Sequence, residues 1–386
     1  MDFIKLLTPT NLVEIFEADA LCEGDLGNFV HFSETGGLAK GTQLAIIGVP
    51  DGRSSGPNHG CQQAPREVRK YLYRLKKAFP KCKITDLGDL IPGNSVADTH
   101  VAIGMLVEEL VKKEVVPIII GGAHHLAYGQ YLGYEKLDEQ ISMTSIDNNF
   151  DLDQISQGVN SKSHFYHAFV HPSFHLFHFS NIGFQSYFVD DESVRVMEKL
   201  EFDAFRLGEA QKDIFEMEPV IRNANIVSMD ISAVRQSDAP GNANSSPNGF
   251  YGEQFCQLAR YAGISDAVSS FGVYEINPEF DNRGQTVHLG AQAIWCFIEG
   301  FYSRVKENPI SNADNFYKYR TIFKNNDQEI VFYKSKTTER WWMKVPHPGT
   351  NDINAPYHLI PCSYSDYEKA NEEEIPDRWL KAFNKL

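Results

Sequence analysis

The chain has 386 residues, 42% of them hydrophobic, which is long enough for one large α/β domain or two smaller ones. Its net charge of −15, without a long run of Lys or Arg, argues against nucleic acid as a partner, and no apolar stretch approaches the roughly 20 residues that span a membrane. The six cysteines lie far apart and the N-terminus lacks a signal-peptide core, so we expect buried thiols in a cytoplasmic protein.

Hydrophobic runs of strand length alternate with stretches of helical periodicity along most of the chain. Val115–Ile120 is the most hydrophobic run, and its lack of alternation indicates burial on both faces of a sheet. The predicted strands are Leu44–Val49, Lys83–Leu87, Val115–Ile120, 141–147, 182–189, Asn225–Asp230 and Val268–Glu275. The predicted helices are Asn11–Ala18, Pro65–Leu75, Val101–Lys113, 191–199, 209–224, Gly252–Tyr261 and Val287–Phe301. This alternation predicts a parallel sheet with helices on both faces.

The two ends of the chain differ in character from its middle. Residues 1–40 are polar and irregular, and we interpret them as an N-terminal extension. Near the other end, Glu329–Tyr333 and Arg340–Val345 alternate in the manner of a β-hairpin. We therefore predict that residues 41–303 form the α/β domain and that 304–386 form a C-terminal extension packed on it.

Three polar motifs follow apolar runs of strand length. Ser145–Asp151 and Ser228–Ser232 carry polar side chains at every second position, and Gly121–His125 adds an imidazole after a third run. Because side chains on a strand alternate between faces, the polar side chains of one motif should point the same way. The carboxyl ends of parallel strands form a ligand-binding crevice, and carboxylates with one His are ligands for a divalent cation.

These motifs, in this order, resemble those of the arginase family, the ureohydrolases that include agmatinase and formimidoylglutamase. That family carries Gly-Gly-Asp-His-Ser, Asp-x-His-x-Asp and Ser-x-Asp-x-Asp segments; Ile47–Pro50 and Tyr274–Pro278 complete five landmarks within residues 40–303. The resemblance implies a three-layer α/β/α sandwich around a mostly parallel sheet of eight strands. It also implies two manganese ions, bridged by a hydroxide that attacks the central carbon of a guanidinium or amidine.

Transferred residue by residue, the resemblance implies a complete ligand set for one ion and an incomplete set for the other. The ligands of the first ion would be His124, Asp147, Asp151 and Asp230. The second ion would share two of these aspartates, but its own His and Asp are replaced by Asn149 and Ser232, and the Asp expected beside His124 is Ala123. Amide and hydroxyl groups are weak ligands, so we expect a single divalent cation and loss of the second metal site. That cation is Mn²⁺ by resemblance, with Mg²⁺, Zn²⁺ or Fe²⁺ left open by the ligand types.

Further side chains are candidates for catalysis and substrate binding. Glu275 matches the family carboxylate that holds the cationic head of the substrate, and Arg235 is a candidate for binding a substrate carboxylate. Among the histidines, His164 is preferred over His125 and His167 as a general base, because in the family the loop after the metal strand contacts the substrate. The candidate catalytic residues are therefore Glu275, His164 and Asp147.

Two functional hypotheses follow from this pattern. The first is a metal-dependent hydrolase of a linear C–N bond in a small amidine or guanidine, closest to formimidoylglutamase and homo-oligomeric like its family. The second is a non-catalytic relative that binds a metal or a small cationic metabolite, or that acts as an assembly partner. A hydrogen-bonded polar cluster at the strand ends is the structural alternative to a metal site. The complete first ligand set favours the hydrolase.

Overall fold

A computed structural model describes residues 3–16, 20–77, 79, 81–137, 140–153, 158–172, 176–323, 329–347 and 357–386. Its main sheet contains ten strands. They are β1 Leu7–Thr8, β2 Val30–Phe32, β3 Leu44–Val49, β4 Ile84–Leu90, β5 Val116–Gly121, β6 Ile141–Ile146, β7 Leu176–Phe184, β8 Asp203–Arg206, β9 Ile226–Asp230 and β10 Ser270–Tyr274. Eight of them run parallel in the order β4-β3-β5-β10-β9-β6-β7-β8, whereas β1 and β2 pair with the outer edge of β4, β1 antiparallel to it. The sheet therefore contains two short strands, contributed by the N-terminal extension, in addition to the eight that the family resemblance implies.

Helices cover both faces of this sheet. They are α1 Leu12–Phe16, α2 Ala64–Leu72, α3 Val96–Lys112, α4 Leu126–Leu132, α5 His164–Phe169, α6 Asp191–Lys199, α7 Leu207–Lys212, α8 Met217–Arg222, α9 Gly252–Ile264, α10 Gln285–Tyr302, α11 Tyr364–Asn371 and α12 Asp377–Lys385. One apolar cluster packs α2, α8, α9 and α10 against one face of the sheet. A second cluster packs α3, α4, α5 and α6 against the opposite face. The predicted three-layer sandwich is confirmed. The last two residues of the predicted helix Asn11–Ala18 lie outside the described part of the chain.

The start of α3 shows how a local signal overrides periodicity. Its N-cap Ser95 accepts a hydrogen bond from the Asp98 amide at 3.1 Å, and the Asp98 carboxylate accepts one from the Ser95 amide at 2.8 Å. This capping box satisfies two backbone donors that would otherwise lack partners at the helix end. The helix therefore begins at Val96, and the start at Val101 predicted from apolar spacing is wrong by five residues.

Around β7 and β8 the structure corrects two predicted elements and adds one strand. The strand predicted at 182–189 is β7, which starts earlier and ends at Phe184, because polar residues interrupt its apolar pattern. The strand β8 was not predicted at all, since its four residues are half-exposed and carry no apolar run. The helix predicted at 209–224 is broken at Asp213, whose extended backbone and side-chain bond to the Phe215 amide at 3.1 Å start a new helical turn.

The C-terminal residues form a second, antiparallel sheet with its own core. Its strands are β11 Phe316–Ile322, β12 Glu329–Ser335, β13 Trp341–Pro346 and β14 Tyr357–Cys362, paired in chain order. The predicted hairpin is confirmed as β12 and β13. Phe332, Met343 and Trp379 lie in the apolar cluster between this sheet and the last two helices. Among the described helices, none combines the length and the apolar character that crossing a bilayer requires.

Candidate metal centre

Four neighbouring strands of the main sheet each end in a polar residue of the candidate site. The strands β5, β10, β9 and β6 are adjacent, and their carboxyl ends lead to His124, Glu275, Asp230 and Asp147. Gly122 permits the approach of the β5 end to the loop after β3, because a Cβ there would lie 2.2 Å from the Asp51 carbonyl oxygen. The crevice is therefore built by topology, which brings residues distant in sequence to one edge of the sheet.

The imidazole of His124 lies at the centre of three carboxylates. Its Nδ1 is 3.1 Å from Asp147 Oδ2, 3.1 Å from Asp151 Oδ2 and 3.2 Å from Asp230 Oδ2, and the ring is fully buried. An Nδ1–H group donates to one oxygen well, so hydrogen bonding alone does not explain three equal approaches. Ligands of one ion at bonds of roughly 2.1 Å lie about 3 Å apart when their bonds are nearly perpendicular. The spacing therefore suits a shared cation.

The other atoms of this cluster support the same interpretation. His124 Nε2 lies 3.0 Å from Ser228 Oγ, the kind of outer hydrogen bond that orients a metal-binding imidazole and leaves Nδ1 for the ion. Asp147 Oδ2 is buried, and apart from the approach of His124 Nδ1 at 3.1 Å no hydrogen-bond partner for it occurs among the described residues. A carboxylate oxygen in that state is costly unless a cation faces it. The donor set of one nitrogen and three carboxylate oxygens fits a divalent cation such as Mn²⁺.

Electrostatics show why the cluster needs positive charge. Burial raises the pKa of Asp151 well above its usual value, and the nearby Asp147 raises it further. Burial and the charge of Asp147 also raise the pKa of Asp230. Burial alone would lower the pKa of His124, but its contacts with the three carboxylates raise it well above 6.5. Burial and mutual repulsion of these carboxylates therefore favour a positive charge at the site, which a bound cation would provide.

Strand alternation aims Asp230, whereas turns aim Asp147 and Asp151. The strand β6 ends at Ile146, so the predicted alternation does not continue through Asp151. Asp147 Oδ1 instead accepts the Asn149 amide at 3.1 Å, and Asp151 adopts a left-handed backbone with φ of 51°. At the end of β9, Asp230 Oδ1 accepts the Ser232 amide at 2.6 Å. The expectation that strand periodicity places the polar side chains on one face is confirmed for Ser228 and Asp230 of β9, which both face His124. It is wrong for the segment from Asp147 to Asp151, which lies beyond the end of β6.

The residues at the second-ion positions are engaged in local hydrogen bonds. Asn149 Oδ1 accepts the Phe150 amide at 2.7 Å, and Ser232 Oγ lies 3.4 Å from Asp147 Oδ1. Ala123 is fully buried and offers no ligand atom. These side chains stabilise the turns that carry the aspartates, and they contribute no strong ligand to a second ion.

The buried carboxylate of Glu275 is held by hydrogen bonds from neutral protein groups. Its Oε1 accepts from the His124 amide at 2.7 Å and from Ser161 Oγ at 2.7 Å. Its Oε2 accepts from Ser55 Oγ at 2.6 Å and from Asn58 Nδ2 at 2.6 Å. Burial and the charge of Asp230 raise its pKa, and its backbone is left-handed with φ of 63°. Four neutral donors thus fix a buried carboxylate beside His124.

His164 lies next to the carboxylates without bonding to them. Its Nδ1 is 3.7 Å from Asp151 Oδ2, its ring centroid is 4.5 Å from that of His124, and the residue is fully buried. Neither ring nitrogen finds a hydrogen-bond partner within the described part of the chain. Burial and the neighbouring imidazole of His124 lower its pKa well below 6.5. Its role as a general base stays a prediction.

His125 holds the loop after β3 in place by a hydrogen bond to its backbone. Its Nε2–H donates to the Arg53 carbonyl oxygen at 2.6 Å, which leaves Nδ1 to accept from His100 Nε2 at 2.8 Å. Burial lowers the pKa of His100 to about 3. This neutral pair orients the segment that carries Ser55 to Glu275. His100 was not identified from the sequence, because it lies near the start of α3 with no ligand or catalytic motif around it.

Arg235 lies away from the carboxylates, in the wall of an open cavity of about 360 Å³. Its Nε donates to Asp238 Oδ1 at 2.9 Å, and its guanidinium stacks on the Tyr251 ring at 3.9 Å. The same wall contains Arg206 and Gln185, neither of which the sequence indicated. The Gln185 amide donates to the Asn148 carbonyl at 3.0 Å, so the cavity adjoins the turn that carries Asp147.

Comparison with known proteins places this geometry in a family. The arginase family model matches residues 42–299. Formimidoylglutamase of a Geobacillus species is 25% identical over 267 residues, 64% of this chain and 78% of that protein. Formimidoylglutamase of Geobacillus kaustophilus is 28% identical over 243 residues, 60% of this chain and 75% of that protein.

Solved structures share the fold at low sequence identity. The crystal structure of Bacillus subtilis formimidoylglutamase has a TM-score of 0.66 at 18% identity, covering 75% of this chain and 96% of that one. Trypanosoma cruzi formiminoglutamase with Mn²⁺ has a TM-score of 0.64 at 18% identity, covering 77% of this chain and all of that one. With the family model matched over most of the main sheet, the chain belongs to the arginase family.

Proposed function

We propose that this protein is a metal-dependent hydrolase of the C–N bond of a linear amidine, similar to formimidoylglutamase. The observation that carries the proposal is the approach of three carboxylate oxygens to His124 Nδ1 at 3.1–3.2 Å, beside a buried Glu275. The curated relatives are formimidoylglutamases, which supports this reaction class. A divalent cation held by these four side chains would polarise a water molecule for attack on the amidine carbon.

Manganese is the cation that we propose, at one ion per chain. A solved T. cruzi relative contains Mn²⁺, and the donor set here suits it. Asp147, Asp151 and Asp230 would carry the negative charge that balances the ion. The local hydrogen bonds of Asn149 and Ser232 support the loss of the second site.

Glu275 is the proposed partner of the cationic head of the substrate. All four lone-pair directions of its carboxylate are occupied by protein donors, so the substrate must displace some of them. The hydroxyls of Ser55 and Ser161 can rotate away, whereas the backbone amide of His124 cannot. Substrate binding would therefore exchange neutral hydroxyl donors for a charged one, which forms the stronger hydrogen bond.

The cavity around Arg235 supports a substrate with an anionic tail. Arg206 and Arg235 both line it, and its described lining contains no Asp or Glu, in a chain with a net charge of −15. Arg235 uses Nε for Asp238, and among the described residues no hydrogen bond involves its terminal nitrogens. Paired guanidinium nitrogens bind carboxylates in a bidentate manner. A carboxylate-bearing amidine such as formimidoylglutamate fits this distribution of charge better than agmatine does.

The second hypothesis is a relative that binds a metal or a cationic metabolite without turnover. The observation that favours it is that three positions around the second ion carry Ala123, Asn149 and Ser232, none of which is a good metal ligand. A single ion provides less positive charge for activating water than two ions do. The cytoplasmic location and the homo-oligomeric state remain predictions.

One experiment separates the two hypotheses. The purified protein is loaded with Mn²⁺, the metal per chain is counted, and the release of ammonia, formamide or urea is measured with formimidoylglutamate, agmatine and arginine. We expect about one Mn²⁺ per chain and ammonia or formamide from formimidoylglutamate, with Asp230→Asn as the inactive control. Bound metal without turnover of any of the three substrates would favour the non-catalytic relative.

A further inference from the structure

A small cavity of about 60 Å³ lies between the C-terminal helix α12 and the β7–β8 end of the main sheet. Its walls carry four basic side chains, which are Arg378, Lys381, Lys385 and His178. Two of them have carboxylate partners, since Arg378 pairs with Asp366 at 2.9 Å and Lys381 with Asp203 at 2.6 Å. In the part of the chain that the structure describes, no carboxylate forms an ion pair with Lys385.

The amine of Lys385 contacts an imidazole instead. Its Nζ donates to His178 Nδ1, which leaves the ring proton on Nε2, 3.0 Å from Asp203 Oδ2. The same Nζ lies 4.8 Å from the centre of the Phe202 ring. An amine beside a base that a carboxylate orients is the arrangement that activates a nucleophile. This chain of amine, imidazole and carboxylate shares no residue with the candidate metal centre.

The surroundings of Lys385 favour the uncharged amine. Its pKa is lowered to about 8, mainly by burial and also by the charge of Lys381. The carboxylates of Asp203 and Glu201 act in the opposite direction. At pH 7 roughly one molecule in ten then has a neutral amine, against roughly one in two thousand for a lysine with a pKa of about 10.4. The lone pair that a nucleophile needs is therefore available.

We infer that Lys385 is a site of reversible carbamylation, at which its amine adds carbon dioxide in the cavity beside His178. The nitrogen lone pair attacks the carbon of CO₂, and the electron pair of one C=O bond moves to the oxygen. The proton that the nitrogen then loses goes to His178 Nδ1. The product is a carbamate anion next to an imidazolium, and the step needs no oxidant, reductant or leaving group.

Charge and size select carbon dioxide over other electrophiles. A carbamate is an anion, and the ammonium of Lys381 and the guanidinium of Arg378 line the same cavity. An acyl group would leave a neutral amide, which gains nothing from these cations. The volume of about 60 Å³ also admits only a molecule of a few heavy atoms.

The test traps the carbamate chemically. The purified protein is equilibrated at neutral pH with bicarbonate labelled with carbon-13, then treated with triethyloxonium, which converts a carbamate to a stable ester. Tandem mass spectrometry of the peptides locates the label. We expect it on Lys385 in the natural protein and expect its loss in Lys385→Arg. Lys199→Arg, which replaces an exposed lysine of α6, is the matched control and should leave the label unchanged.

A second variant tests the imidazole. His178→Gln removes the proton acceptor and the imidazolium that would pair with the carbamate, so the trapped fraction should fall at least about tenfold, the value of a charge-assisted hydrogen bond. An unchanged fraction in the folded variant would overturn the role of His178.

The position of the label decides between the outcomes. The α-amino group of the purified chain has a pKa of about 8 and also forms carbamates, so a label confined to it would overturn the inference. The same holds if no label is trapped, or if an acetyl thioester modifies Lys385 as readily as CO₂ does. The natural protein answers the question even if a variant fails to fold. Turnover plays no part in this measurement, so failure of the proposed hydrolase activity would leave it untouched.

Discussion

At the scale of one residue, Glu275 adopts a strained backbone conformation that contacts with its neighbours maintain. A left-handed backbone at a residue other than Gly costs roughly 1–3 kcal/mol, and here φ is 63°. Backbone contacts enforce it, since the Glu275 amide donates to the Gly122 carbonyl at 2.8 Å and its carbonyl accepts from Asn58 and Asn242 at 2.9 Å each. The strain turns the carboxylate towards His124, which supports a role in binding.

Replacing the charge of Glu275 tests that role. Glu275→Gln keeps the shape but removes the negative charge, so kcat/KM for the amidine should fall about 10- to 100-fold, the value of a charge-assisted hydrogen bond. Steady-state kinetics with Mn²⁺ in excess measure the change, and the metal content should stay the same. Ser161→Ala frees one lone pair of the carboxylate and keeps the charge, so its KM should not rise. Full activity of Glu275→Gln would refute the assignment.

The second-ion positions give another prediction at the same scale. Restoring ligands with Asn149→His and Ser232→Asp together should raise the metal content from one towards two Mn²⁺ per chain, because an imidazole and a carboxylate replace two poor ligands. Elemental analysis of the dialysed protein gives the count. Each single variant restores only one of the two ligands that belong to the second ion alone, and it serves as the control. A count that stays at one in the double variant would show that the residue correspondence is wrong.

Between elements, a buried ion pair joins α2 to β4. Arg69 is 1% exposed, donates from Nε to Asp86 Oδ2 at 2.8 Å and also pairs with Asp89. Arg69→Met would leave the fully buried Asp86 charge without its partner, which destabilises a protein by roughly 3–5 kcal/mol. Urea unfolding followed by circular dichroism measures this loss. Arg66→Met removes an exposed pair with Glu67 on the same helix and should cost less than about 1 kcal/mol.

The elements that could be predicted from the sequence are those with a strong local pattern. The strands β3, β5 and β9 are continuous apolar runs, and their predicted positions agree with the structure to within one residue. The strands β1, β2 and β8 were missed because each has at most four residues and pairs at or near a sheet edge. Their existence depends on the neighbouring strand, and a short window of sequence does not contain that information.

The candidate site was predictable in its residues but not in its geometry. The motifs pointed to His124 and the three aspartates, which the structure brings together. The turn at Asp147 and the left-handed Asp151 were not foreseen, because they depend on backbone conformations that carry no periodic signal. His100 and Arg206 reach the site region by tertiary packing alone. The family resemblance identifies which residues belong to the site, whereas contacts between segments distant in sequence become visible only in the folded structure.

At the scale of the whole molecule, charged groups link the C-terminal helix α12 to the main sheet. Asp203 accepts from Lys381 Nζ at 2.6 Å and lies 3.0 Å from His178 Nε2. Burial would raise the pKa of Asp203, but His178 and Lys381 lower it far below its usual 3.8. A carboxyl with a lowered folded-state pKa stabilises the protein above pH 3.8, and this contribution disappears as the pH falls below that value.

This linkage predicts a pH-dependent effect of one substitution. Asp203→Asn should lower the melting temperature at pH 7, and the difference from the natural protein should shrink as the pH falls from about 4 towards 2. Differential scanning calorimetry across that range measures both proteins. Glu198→Gln, an exposed carboxylate on α6, is the control and should show no such trend. A difference that is independent of pH would mean that Asp203 acts by packing and not by charge.

Arg222 is a buried side chain that connects the main domain to the C-terminal sheet. The side chain is 3% exposed, donates from Nη2 to the Trp341 carbonyl at 3.0 Å, pairs with Glu218 at 3.0 Å and stacks on the Trp342 ring at 4.4 Å. Burial lowers the pKa of this guanidinium, yet the Glu218 carboxylate of α8 and two carbonyls of the C-terminal sheet compensate its charge. It therefore ties α8 to β13 and β14 from within the interface.

Removal of Arg222 should separate the unfolding of the two parts. Arg222→Met keeps most of the apolar stem but leaves the buried carbonyls without their donor and Glu218 with Arg340 as its remaining partner, at a cost of about 3 kcal/mol. Because this loss falls on the interface, the C-terminal sheet should unfold first, and the fluorescence of Trp341 and Trp342 should change at a lower urea concentration than the circular dichroism of the main domain. Coincident transitions shifted together would show that the two sheets form one cooperative unit, whose stability Arg222 supports as a whole.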